Sequence, residues 1–176
     1  MSETSETGKA GTPFGGGVKQ RDLIKMTPEE IDEFLHGWHT MSCATHNHDG
    51  TIHLVAMWYG FLEGAPALET KAKSQKVQNL RRDPRITCLV EEGNSYDQLR
   101  GVELVGTAEI VEDPDRIFEM GKSVVERTAG VPYTDEMKPM VEAMINKRVG
   151  VKINVERYVS WDHRKLGLPE MPKPPS

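Results

Sequence analysis

Two cysteines in 176 residues, 6% aromatic content and a formal net charge of −5 are low figures, and each excludes something. The mild acidity speaks against a general nucleic-acid-binding surface, which needs a basic face. No apolar run approaches the roughly 20 residues of a membrane-spanning helix. The N-terminal MSETSETGKAGTPFGGG has no apolar core of a signal peptide, so a cytoplasmic protein without a membrane or nucleic-acid partner is expected. Cys43 and Cys88 sit in the apolar runs SCAT and ITCLV with no CxxC spacing and no redox partner nearby in sequence, and read as small buried hydrophobes. A Gly-x-Gly-x-x-Gly after a strand is missing, which argues against a nicotinamide-binding Rossmann domain. Gly15, Gly16 and Gly17 follow no strand and precede no Gly-Lys-Ser/Thr, so they read as a flexible arm and not a phosphate loop. No metal site is expected. His46-Asn47-His48-Asp49 reads as a hairpin turn, and His36 and His39, taken as one face of the first helix, lack a third ligand.

What is present reads as one domain of residues 21–167, between a Ser/Thr/Gly-rich arm (1–20) and a Pro-rich tail (168–176). Thr27-Pro28-Glu29-Glu30 is a capping box with proline at the first helical position, followed by Ile31, Phe34, Leu35 and Trp38 at helical spacing. Strands are expected over 41–46, 52–60, 67–70, 85–91, 99–111 and 149–161, with turns at Asn47–Gly50 and Glu63-Gly64. Asp113-Pro114 opens a helix. A second helical run carries Met137, Met140, Val141, Met144 and Ile145, whose methionines read as core packing. Six meandering strands with helices at the edges predict a mainly β protein, a small antiparallel barrel.

The segment Glu69–Arg85, ETKAKSQKVQNLRRDPR, joins a strand end to a short helix. Thr70 and Ser74 place hydroxyls at the junction, Lys71, Lys73 and Lys76 surround it with ammonium groups, and Val77 and Leu80 give the helix its apolar face. The unpaired N–H groups and partial positive charge of a helix N-terminus favour phosphate or carboxylate there. Pro84 stops the helix. On charge alone, a solvated basic helix face is the alternative.

These residues also carry a resemblance. T-H-N-H-D-G-T-I-H-L-V-A-M-W-Y, then L-E-T-K-A-K-S-Q-K-V-Q-N-L-R-R-D-P-R-I-T-C-L-V-E, then R-G-V-E-L-V-G-T-A-E-I-V and V-S-W-D-H-R-K-L stand in the order found in the split β-barrel flavin and deazaflavin oxidoreductases. These are relatives of pyridoxamine 5′-phosphate oxidase, and the likeness runs from about Ile31 to Leu166. The S-x-K-V-x-N-L-R-R-D-P run and the W-D-H-R-K-L ending resemble the branch that uses the deazaflavin F420. The resemblance implies a six-stranded antiparallel split barrel and a homodimer with cofactor sites at its interface. It implies that the tricyclic ring lies along the strand of His53, Val55, Met57 and Trp58, that Thr70, Ser74 and Lys76 hold the phosphate, and that Asn79 belongs to the cofactor site. Gln98, Arg100 and Gly101 would come from the other chain, while Lys71, Arg82 and Arg85 meet either the glutamyl tail of F420 or water. Arg164 either reaches the cofactor region or pairs locally with Asp162.

The implied activity is hydride transfer from reduced F420 to a small conjugated acceptor: a quinone, enone, lactone or tetrapyrrole. The alternatives are an FMN-dependent enzyme of the pyridoxamine-phosphate-oxidase type and a non-catalytic binder of cofactor, haem or fatty acid. FMN is disfavoured by Gln75 at a position where such oxidases usually carry a second basic residue. His46, His48, His53, Tyr59 and Tyr96 are possible proton donors, and solvent is another; no catalytic residue is assigned.

Overall fold

A computed structural model describes residues 19–170, so most of the expected arm and tail fall outside the described residues. Its centre is one seven-stranded antiparallel sheet in the spatial order β2-β1-β5-β6-β7-β4-β3. The strands are β1 Met41–His46, β2 Ile52–Met57, β3 Gly60–Leu62, β4 Ala65–Lys71, β5 Arg85–Glu92, β6 Arg100–Val111 and β7 Arg148–Asp162. The expected count of six is therefore corrected to seven. The run 52–60 does not continue as one strand: pairing with β1 stops at Met57, and Gly60 starts a separate strand paired with β4.

Local chemistry accounts for the turns. Asp49 Oδ1 accepts from the N–H and hydroxyl of Thr51 (3.0 and 2.6 Å), closing the β1–β2 hairpin. Between β3 and β4, Glu63 and Gly64 both have positive φ (53° and 76°), the mirror-image two-residue turn that matches strand twist. A bulge at Val105/Gly106 bends the long β6–β7 ladder.

The helices are α1 Gln20–Leu23, α2 Pro28–His36, α3 Gln75–Arg82, α4 Pro114–Ala129 and α5 Lys138–Ile145. The predicted capping box of α2 is formed, with Thr27 N–H donating to Glu30 at 2.7 Å. α2 ends at His36, so two expectations are corrected: Trp38 is not on its apolar face, and His39 is not on the helix at all. The main core gathers Phe34, Leu35, Met41, Cys43, Tyr59, Leu68, Leu80, Cys88, Val102, Leu104 and Ile153 inside the curled sheet. Leu62, Ala67, Val111, Ile117 and Met120 form a smaller core beneath α4. Of the α5 residues read as core, Val141 is buried and Ile145 packs on the smaller core, whereas Met140 is exposed, because α5 packs against α4 on one side and shows the other to water. Among the described residues no helix is long and apolar enough to cross a membrane.

Candidate functional site

The junction of β4 and α3 forms a pocket of donors. Thr70 closes β4 and is buried, and Ser74 stands at the N-cap of α3 with its hydroxyl making no capping bond. No acidic residue lies in the first turn of α3, unlike the first turns of α2 and α4. The helix start thus keeps its partial positive charge unneutralised by its own sequence. Lys76 is only 8% exposed, and its ammonium donates to Thr70 Oγ1 at 3.1 Å. Thr70 Oγ1 in turn reaches Ser74 Oγ at 3.4 Å. No ion pair joins Lys76 to a carboxylate among the described residues. Burial pushes its pKa below the usual lysine range, and the Arg148 guanidinium works in the same direction. A buried ammonium with one neutral acceptor leaves two N–H donors for an anion.

Asn79 and Arg82 fix α3 to the sheet. The fully buried Asn79 donates Nδ2 to Thr45 Oγ1 (3.1 Å) and Asn47 Oδ1 (2.9 Å) and accepts from Gln75 (2.9 Å). Arg82 donates to the His46 carbonyl. The other basic residues divide. Arg81 pairs with Glu112 and Arg85 with Asp83, both at 2.6 Å, and the Arg85 guanidinium holds the Asp83 carboxyl well below the carboxylate range. Lys71 and Lys73 are exposed.

Strand β2 lies beside β1, the strand to which Asn79 ties α3. His53, Val55 and Met57 are register partners of the buried Thr45, Cys43 and Met41, and cross-strand partners share a face. His53, Val55 and Met57 therefore line the side on which Asn79 meets Thr45. Among the described residues no strand lies along the other edge of β2, leaving backbone N–H and C=O groups available. Lys76 thus meets Thr70, and Thr70 meets Ser74, while Asn79 ties α3 to β1, the strand that carries His53, Val55 and Met57 as its register partners.

Gln98, Arg100 and Gly101 lie elsewhere. Arg100 starts β6 opposite Asp162, pairs with Glu92 and covers the Phe34 ring at 4.9 Å. A Cβ at Gly101 would come within 2.5 Å of the Trp161 ring, so only glycine fits there. Gln98 bonds Asp97 at 2.8 Å. The seat adjoins the other end of these strands, where Val111 pairs with Gly150 and Thr70 with Val149. Arg164 makes the local pair with Asp162, at 2.5 Å.

To Trp58, expected along the cofactor ring, the structure adds two neighbours that sequence reasoning did not place in the site, Trp38 and His39. Trp38 and Trp58 are 69% and 43% exposed with ring centroids 5.8 Å apart, at the end of β2 far from His53. His39 lies beside them, 3.5 Å from Glu92, and burial lowers its pKa. Gly37, the C-cap that ends α2, is the local signal that separates Trp38 and His39 from the helix before them. Tyr59, one of the proton donors considered, is fully buried with its hydroxyl donating to the Leu35 carbonyl at 2.6 Å, and burial raises its pKa to about 12. It has no route to give a proton to a bound molecule. The cysteines do meet: Cys43 and Cys88 are direct cross-strand partners, both buried, and a thiol–thiol hydrogen bond with burial pushes Cys88 up. Both are buried, as their apolar runs lead one to expect, and the raised pKa keeps the Cys88 thiol unreactive.

A family model described as pyridoxamine 5′-phosphate oxidase matches residues 27–162. No curated protein matches the chain. Among solved structures, the conserved hypothetical protein Rv2991 from Mycobacterium tuberculosis is 55% identical, with a TM-score of 0.84 over 90% of this chain and 99% of that one. A protein described as an F420 reductase is 25% identical, with a TM-score of 0.56 over 75% of this chain and 98% of its own. The haem storage protein HutZ from Vibrio cholerae, at 14% identity and a TM-score of 0.58 over 76% of this chain and 94% of its own, shares the fold.

Proposed function

Since the chain belongs to the pyridoxamine 5′-phosphate oxidase family, we propose that it is an F420-dependent oxidoreductase that delivers hydride to a small conjugated acceptor. The observation that carries this reading is Lys76: a buried ammonium with no carboxylate, beside the open N-cap of α3. Leaving a charge buried without a counter-ion is costly, and a phosphate supplies one. The residues fit a phosphate-bearing cofactor, with Thr70, Ser74 and Lys76 as its donors.

The exposed Lys71 and Lys73 favour the deazaflavin, whose glutamyl tail extends its negative charge beyond the phosphate. Arg85 and Arg82, already engaged by Asp83 and the His46 carbonyl, are weaker contributors. The open edge of β2 offers backbone groups to the ring's polar edge, and Val55 and Met57 offer it an apolar floor. When bound, the deazaflavin supplies two electrons as hydride; with one proton from solvent, a quinone becomes a hydroquinone. The chain's own residues bind and orient. Thr70 and Lys76 fix one end, β2 sets the plane, and burial of the seat keeps competing water away from Lys76.

FMN is the second reading, favoured by the seat's single buried cation, which matches one terminal phosphate. A paired fluorescence titration with F420 and FMN separates them. Tight binding of F420 alone supports the proposal, preference for FMN replaces it, and binding of neither points to a storage protein for another ligand. Lys76→Ala is expected to weaken F420 binding more than about tenfold, the loss of one charge-assisted hydrogen bond. Unchanged affinity removes the phosphate assignment.

A further inference from the structure

Trp38 and Trp58 stand in water on a rigid base. Arg127 of α4 donates to the carbonyls of Gly37 and His39, on either side of Trp38, and to that of Tyr59, next to Trp58 (2.5, 2.8 and 2.5 Å). Its guanidinium also lies over the Tyr59 ring at 3.8 Å, and Tyr59 is anchored in turn to the Leu35 carbonyl. One half-buried arginine therefore ties together two segments that are distant in sequence and holds both indoles at the surface. Loose exposed tryptophans would cover their faces by folding back on the chain; these are kept from doing so.

We propose that Trp38 and Trp58 form a stacking platform for the acceptor, and that the acceptor is a flat, electron-poor conjugated ring of the quinone type. This rests on the reading of β2 as the strand along which the cofactor ring lies. Two observations choose the occupant. Trp58 directly follows Met57, so the platform begins where the β2 floor ends. Indole faces are electron-rich and stack best on electron-poor rings. Arg127 acts through the two tryptophans as a positioning residue.

The test is a calorimetric titration of menadione (2-methyl-1,4-naphthoquinone) into the whole chain, with and without saturating oxidised F420, accompanied by light scattering for oligomeric state. Trp38→Ala is expected to raise the menadione Kd about tenfold and Trp38→Phe to recover most of it, with the F420 Kd unchanged in both. In turnover with reduced F420, KM for menadione rises in parallel while kcat stays within about threefold. The proposal is overturned by any of three results. These are no saturable menadione binding to the wild type, an unchanged Kd in Trp38→Ala and Trp58→Ala, or a change of oligomeric state in these variants that makes the pair a subunit contact. If the wild type fails to bind F420, the cofactor reading falls, and the menadione comparison without F420 still judges the platform.

Discussion

Glu69 is the residue at which charge and burial conflict most openly. It lies in β4 between the core residue Leu68 and the seat residue Thr70, nearly fully buried; one carboxyl oxygen has no partner and the other has only Arg148 at 3.5 Å. Burial raises its pKa above the ordinary glutamate range, with the Arg148 charge offsetting only part. A raised acid pKa in the folded chain means that folding favours the protonated form. Its contribution is complete below the unfolded-state pKa and is lost as pH rises through the folded value. Glu69→Gln keeps the shape and removes the ionisation, so the variant should gain thermal stability over the wild type, and the Tm gap should be wider at pH 8 than at pH 4.5. Equal gaps at the two pH values would show that Glu69 is ionised at little cost. Neither this conflict nor the isolation of Lys76 is legible in the sequence, where both are charged letters in a polar run. Burial is what distinguishes Lys76 from Lys71 and Lys73.

At the scale of elements, α3 shows what the sequence discloses and what it withholds. Its start at Ser74, its buried Val77 and Leu80 and its end before Pro84 follow from spacing and proline sterics. Its attachment does not, since Asn79 reaches Thr45 and Asn47 across more than thirty residues of chain. The same holds elsewhere. The strands of β5, β6 and β7 were readable from their branched residues, but the break after Met57 was not, because what decides it is the change of pairing partner from β1 to β4. Met140 and Met144 of α5 lie one turn apart and read as one covered face, yet Met140 is exposed, which only the packing on α4 tells. A prediction separates anchoring from ligand binding. Asn79→Ala leaves the Thr45 and Asn47 groups without their donor, and should lower the stability of the cofactor-free protein by about 1–3 kcal/mol. That corresponds to a fall in Tm of roughly 2–4 °C per kcal/mol for a chain of this size. Lys76→Met, which removes a buried charge, should cost no stability in the same scan. If the two variants melt alike, α3 is not held by Asn79.

For the molecule as a whole, the seat and the residues Gln98, Arg100 and Gly101 lie toward opposite ends of the long strands. From Gly101 to Val111 is roughly 30 Å of strand, so within one chain these three side chains do not reach Thr70 and Lys76. A second copy brings them there if two chains pack with their strands opposed. The surface for this is the outer face of the sheet. Leu54 is 66% exposed, and with Ala44, Leu89 and Trp161 it lines a concavity of about 470 Å3. We propose that this apolar hollow is the contact between two copies of the chain, since stable homodimers bury at least about 1,200 Å2 in total. Leu54→Glu places a carboxylate on that face without touching the pocket side of β2, since its neighbours His53 and Val55 point the other way. The expected outcome in light scattering is a shift from dimer to monomer. If the partner supplies part of the site, F420 affinity should fall at least about tenfold in the same variant, although Thr70, Ser74 and Lys76 are intact. A monomer that binds F420 as tightly as the wild type would mean that each chain holds the cofactor alone. Gln98, Arg100 and Gly101 would then serve only the packing around Glu92 and Trp161.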